Sequence, residues 1–219
     1  MPLPPAVTVR PIQPGDEAAV GRVAYQTGFF GQSAARYFPD AALFAALWVG
    51  PYFRGGGFGG FVAQQGGAVV GYVLGSPSPA RYRRALAGLV VERAGDLLQK
   101  SGFRGLPYLW RAARWPAPHA DEHAFPAHLH LNLLPEVRGQ GVGEALLHAH
   151  LRVLAGAGVP GVQLATTAEN AAALRLYARL GFTVAARRVT PLWTPWLGHP
   201  AEHLCLTLVL GGAVGVARP

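Results

Sequence analysis

The chemistry in this chain is concentrated in two short stretches. In Leu133-Leu-Pro-Glu-Val-Arg138-Gly-Gln-Gly141-Val-Gly143-Glu-Ala-Leu-Leu147 a strand ends, a glycine-rich turn follows and a helix begins. Unpaired backbone N–H groups and the positive end of a helix dipole converge at such a junction. It is an anion site, and a phosphate or pyrophosphate is its usual occupant. Gly139, Gly141 and Gly143 would let a ligand approach the backbone closely, and the Arg138 guanidinium is placed to add a charge-assisted contact. No Gly-Lys-Ser/Thr follows, so this is not a Walker A loop. No acid stands at the end of the next strand, as a dinucleotide fingerprint requires.

The second stretch is Thr166-Thr-Ala-Glu169-Asn170-Ala-Ala-Ala-Leu-Arg-Leu-Tyr177-Ala-Arg-Leu-Gly181-Phe182. Thr166 and Glu169 have the spacing of a capping box, and Gly181 supplies the left-handed residue that ends a helix. Asn170 and Tyr177 lie two helical turns apart, on one face with Leu174. A polar pair on a core-facing stripe calls for a chemical reason.

Elements that position these residues can be read from periodicity. Ala6 to Arg10 alternates and stops at Pro11, as a first strand would; Pro14-Gly-Asp-Glu opens a helix to about Gly28, and a second helix follows Pro39-Asp40. Strands on either side of Gln65-Gly66-Gly67 form a hairpin. Residues 76–126 form an insertion, helical near Ala80 to Ser101 and again near Pro107 to Arg114. Strict alternation then places Leu129, Leu131 and Leu133 on one face of a strand and His128, His130 and Asn132 on the other. A helix over Gly139 to Ala155, a strand over Gly161 to Ala165, a helix over Glu169 to Leu180 and strands over Phe182 to Val189 and His203 to Leu210 complete the order. One domain over 1–219 is expected.

Composition narrows the classes. The chain has 219 residues, 51% hydrophobic and 14% charged, enough to bury a core without disulfides or metal. The single Cys205 excludes a disulfide framework or multi-Cys zinc site. The net charge of +8, with Lys100 the one lysine, attracts anions, but the arginines are scattered and there is no basic tail, which disfavours nucleic acid as the partner. Met1-Pro-Leu-Pro-Pro lacks the pattern of a signal peptide, and the apolar run from Leu204 to Ala217 is too short for a bilayer that needs roughly 20 residues. The expectation is a cytoplasmic protein with no membrane partner.

Together the two chemical stretches resemble the GCN5-related N-acetyltransferase (GNAT) superfamily. Its phosphate loop, Arg/Gln-x-x-Gly-x-Gly/Ala, reads here Arg138-Gly-Gln-Gly141-Val-Gly143, preceded by Pro135; its later Asn followed by Tyr-x-x-x-Gly-Phe matches Asn170 and Tyr177 to Phe182. The resemblance implies an α/β (α+β) fold, a mixed twisted sheet of about seven strands flanked by helices, with the helical insertion between the third and fourth strands. It implies acetyl-CoA as co-substrate, held where the fourth and fifth strands splay, and no metal. Leu131, Asn132 and Leu133 would line the pantetheine arm. The amides of Arg138, Gly139, Gln140, Gly141, Val142, Gly143 and Glu144 would bind the pyrophosphate, Asn170 the cofactor arm, and Tyr177 would serve as general acid to the departing thiolate.

The proton acceptor is left open. His130 and His128 have the right chemistry and the right face of the fourth strand; ordered water is the alternative, and Glu136 reads as a loop acid. His119, Asp121, Glu122 and His123 have metal-ligand types but read as an exposed loop, while His148 and His150 are expected at the solvent face of their helix. Phe29, Phe30, Tyr37, Trp48, Tyr52, Trp110, Trp115, Trp193 and Trp196 would form either an aromatic acceptor pocket or core. The activity expected is acetyl transfer to a small-molecule primary amine, with a protein N-acetyltransferase and a non-catalytic acetyl-CoA sensor as alternatives. A homodimer is allowed but not required.

Overall fold

The computed structural model describes residues 7–97 and 104–210; the expected helix end near Ser101, the first residues and the chain beyond Leu210 lie outside them. Alternating β-branched segments become strands β1 (Val7–Pro11), β2 (Phe61–Gln65) and β3 (Ala68–Ser76). The β2–β3 turn uses Gly66 and Gly67 at φ 56° and 81°, the left-handed pair that a tight hairpin demands. Next come β4 (Ala127–Leu133), β5 (Gly161–Thr167), β6 (Thr183–Thr190) and β7 (Ala201–Val209). They join in one sheet of order β1-β2-β3-β4-β5-β7-β6, antiparallel except for the parallel pair β4–β5.

Helices cover both faces. Among them are α1 (Glu17–Thr27), α2 (Ala41–Trp48), α3 (Pro79–Glu92), α4 (Ala94–Leu97), α5 (Leu106–Arg114), α6 (Val142–Gly156), α7 (Ala171–Arg179) and α8 (Thr194–Leu197). The three between β3 and β4 are the helical insertion expected from the sequence. Apolar stripes decide the layers. Leu146, Leu147 and Leu154 of α6 are fully buried against Val73, Leu129 and Val162, and each such side chain contributes about 1.5–3 kcal/mol. On the opposite face Val20 and Val23 of α1 meet Phe44, Leu47, Tyr72 and Leu74.

One expectation changes here, and one left open is narrowed. His150 is not at the solvent face: it is completely buried, its Nδ1 2.8 Å from Gly59 O, while His148 is exposed. Gly75 makes room for it, since a Cβ there would overlap His150 Nε2. The aromatic residues are mostly core: Phe29, Tyr37, Tyr52 and Trp193 are buried, and Tyr37 alone touches the rings of Phe29, Phe44, Tyr108, Trp193 and Trp196, whereas Trp110 is exposed. No described helix is long and apolar enough to cross a membrane.

Candidate active site

The site begins as a failure of pairing. β4 and β5 are in register only at Ala127 with Val162 and His128 with Gln163. Beyond that the ladder stops, while the outer edge of β5 stays paired with β7 and that of β4 with β3. Leu134 N–H donates to Val70 O at 2.9 Å. By the alternation of an antiparallel ladder, the peptide groups of Asn132 and His130 therefore also face β3, and those of Leu131 and Leu133 face the gap. Continuing the register places Ala165 across from His130 and Thr167 across from Asn132. Both His130 and Ala165 are exposed although they sit in the middle of the sheet, as residues on the walls of an open cleft must be.

At the far end of the gap lies the glycine turn. Pro135–Val137 makes one 3-10 turn, Gly139 and Gly141 follow at φ 73° and 80°, and α6 starts at Val142. The helix thus begins three residues later than the spacing predicts, because two left-handed glycines precede it. No side chain caps it, so the amides of Val142, Gly143 and Glu144 are presented outward. A Cβ at Gly139 would meet open space, whereas one at Gly143 would come within 3.1 Å of Leu133 Cδ1 and Leu176 Cδ2. Gly143 therefore serves close packing of α6, and Gly139 and Gly141 serve the turn. Gln140 Nε2 closes the loop on Glu136 O at 2.7 Å.

Arg138 differs from its expected role. Its guanidinium turns back, donating from Nε and Nη2 to Leu133 O at 3.0 and 2.8 Å and from Nη2 to Gly31 O at 2.7 Å. It ties the α1–α2 connection to the end of β4 instead of pointing at an anion. Asn132 is likewise a brace: Nδ2 donates to Thr27 Oγ1 at 2.7 Å, and Oδ1 accepts from Tyr72 OH at 3.0 Å. Among the β4 residues named from the sequence, Leu131 and Leu133 turn backbone toward the gap.

Asn170, not the Thr166 and Glu169 pair, caps α7, accepting from Ala173 N at 3.4 Å. The expected capping box fails because Thr166 and Thr167 are held in the β5–β7 ladder. Tyr177 is buried, with its ring 5.5 Å from that of Phe182. Among the described residues its hydroxyl has no hydrogen-bond partner. Burial pushes its pKa well above the ordinary 10, so it stays protonated and can only donate or accept as a neutral phenol. It lies close enough to Tyr72 to raise that phenol further, after burial itself.

His128 and His130 separate by environment. His128 Nε2 is 3.0 Å from Tyr52 OH, with the Tyr82 ring edge-on at 4.7 Å, and burial followed by the neighbouring His130 lowers its pKa to about 3. His130 makes no hydrogen bond among the described residues and touches Tyr52 and His128 by ring contact alone, at 5.9 and 6.2 Å. Surrounding protein lowers its pKa to about 4, although its surface is open to the cleft. Both rings are neutral at pH 7. Sequence reasoning missed Thr27, Tyr72 and Tyr82, which carry no motif, and named Tyr52 only as an aromatic of pocket or core; Tyr52 reaches His128 across 76 residues and Thr27 reaches Asn132 across 105. Among the described residues the loop residues His119, Asp121, Glu122 and His123 form no hydrogen bond or ion pair with this site; Glu122 is paired to Arg83, and His119 acts on His128 only as a lesser influence after burial and His130. No cluster of metal-ligating side chains occurs among the described residues.

This arrangement has known counterparts. Residues 112–182 match the Acetyltransferase (GNAT) family. The crystal structure of SsHAT, 26% identical, aligns over 95% of this chain and 100% of that one with a TM-score of 0.63. The structure of yncA from Salmonella typhimurium with its cofactor acetyl-CoA, 20% identical, aligns over 97% and 99% with a TM-score of 0.58 and shares the fold. A mycothiol acetyltransferase of Streptomyces coelicolor is 40% identical over 93 residues, 42% of this chain and 26% of that protein. One of Streptomyces bingchenggensis is 27% identical over 187 residues, 83% of this chain and 44% of that protein. The chain thus spans less than half the length of these curated relatives. Over residues 112–182 the chain thus matches the GNAT family, and its fold is shared with solved acetyltransferase structures.

Proposed function

We propose that the chain transfers the acetyl group of acetyl-CoA directly to the primary amine of a small molecule. The observation that carries this reading is the gap between β4 and β5, which runs from the exposed His130 past the free peptide edge of Leu131 to the uncapped amides of α6. A pantetheine-like arm fits the strand edge and a pyrophosphate fits the helix end. When bound, acetyl-CoA supplies an activated acyl thioester. The Tyr177 hydroxyl, protonated and without a hydrogen-bond partner among the described residues, donates toward the sulfur as the carbon–sulfur bond breaks. Neutral His130 accepts from the attacking nitrogen, whose proton passes through cleft water, so that the net products are an amide and a free thiol. Asn132 and Arg138 are positioning residues that hold β4 against α1 and the α1–α2 connection.

Substituting Tyr177→Phe tests the assignment. Turnover, followed by thiol release, should fall about 100-fold, the scale of a lost proton donor. Acetyl-CoA affinity by calorimetry should change less than twofold. Unchanged turnover would overturn the role of Tyr177, and failure of the unsubstituted protein to bind acetyl-CoA would overturn the reading as a whole.

A further inference from the structure

We infer that the hollow between α3 and the turn Tyr52–Gly56 is a further anion site, for a small molecule that carries a diphosphate or a similar polyanionic group. The hollow, of about 420 Å³, is lined by Arg54 from the turn and by Arg81, Arg84, Gly88 and Glu92 from α3, and none of these residues belongs to the β4–β5 cleft. Arg81, Arg84 and Gly88 stand at i, i+3 and i+7, on one face of the helix. A Cβ added at Gly88, or at Gly55 on the turn, would meet nothing within 4 Å, so the backbone there is open to a ligand. The two walls are fixed to each other. The rings of Tyr52 and Tyr82 meet at 5.1 Å, and a Cβ at Gly56 would lie 3.3 Å from Tyr82 Cα.

Three guanidinium groups here face one carboxylate. Arg54 Nη1 donates to Glu92 Oε2 at 3.2 Å, but both side chains are about half exposed, so the pair is screened and readily exchanged. Arg83 is committed to Glu122 at 3.1 Å, whereas the side chains of Arg81 and Arg84 have no ion pair or hydrogen bond among the described residues. Their like charges one turn apart repel. The backbone amide of Arg81 is already taken by Ser78 Oγ at 3.3 Å, so side chains and not the helix end make the site. A ligand with two or more negative charges and several acceptor oxygens removes the repulsion and meets the guanidinium forks in bidentate fashion. The volume lies within the roughly 300–1,000 Å³ of small-molecule sites. Glu92 acts as the built-in competitor that holds Arg54 until such a ligand arrives.

Inorganic pyrophosphate titrated into isotope-labelled protein at near-physiological salt tests this by amide chemical shifts. Gly55 and Gly88 report the hollow, while Gly139 and Gly141 report the cleft, so the two sites are read apart. Saturable shifts at Gly55 and Gly88 are expected, weaker with orthophosphate and not reproduced by sodium chloride of equal ionic strength. Replacing both Arg81→Gln and Arg84→Gln should weaken pyrophosphate binding there at least about 10-fold. Glu92→Gln, which frees Arg54, should strengthen it about threefold. Glutamine keeps the helix propensity at all three positions, and circular dichroism checks that α3 is retained. Shifts confined to Gly139 and Gly141 would overturn the inference and leave the cleft reading intact. So would shifts at Gly55 and Gly88 that chloride reproduces, that survive the double substitution, or that weaken in Glu92→Gln.

Discussion

The two sides of the cleft are made of different material. The side proposed for the cofactor is backbone: a strand edge with no neighbouring strand among the described residues, two left-handed glycines and the first amides of α6. The side proposed for the acceptor is side chains, Tyr52, Tyr82, His128, His130 and the Asn132 brace, gathered from segments up to 105 residues apart. Backbone geometry constrains a few adjacent residues, so it leaves a contiguous motif. A wall of side chains leaves none, and its composition is free to change with the acceptor while the cofactor side stays the same.

The largest way to break this contrast is Gly141→Asp. The carboxylate would occupy the cap of α6 and meet the ligand phosphate with like charge, so acetyl-CoA binding should weaken more than about 100-fold by calorimetry while the circular dichroism spectrum is kept. Retained binding would refute the backbone cradle. An acceptor-side counterpart is Asn132→Ala, which leaves Thr27 and Tyr72 without their partner. Loss of about 1–3 kcal/mol of stability is expected in urea unfolding, with acetyl-CoA affinity changed only a fewfold.

A further effect concerns pH. Folded His128 titrates near 3 against an ordinary 6.5, so the unfolded chain binds the extra proton first as acid is added. Its neutral form carries no penalty above pH 6.5; stability then falls from about 6.5 toward 3. A His128→Asn protein should show a flatter stability curve across that window, and an unchanged curve would mean that His128 is not the group titrating there.

Much of the frame was legible in the residues. Alternation from Ala127 to Leu133 marks β4 residue for residue, and the order of strands and helices follows from the change of apolar period. The misreadings share one cause, namely that a neighbour distant in sequence decided the outcome. Pairing with β7 keeps Thr166 from capping α7, so Asn170 does it. The carbonyls of Leu133 and Gly31 capture Arg138, and Gly75 on β3 opens the space that buries His150.

What the sequence alone determined is local: a strand, a left-handed glycine turn, an uncapped helix and a polar pair two turns apart on another, each fixed by dihedral limits and periodicity within some twenty residues. Tertiary structure decided where β4 and β5 part and which of two adjacent histidines faces the gap. Those outcomes depend on packing and desolvation between segments far apart in the chain, and no short stretch of residues encodes them.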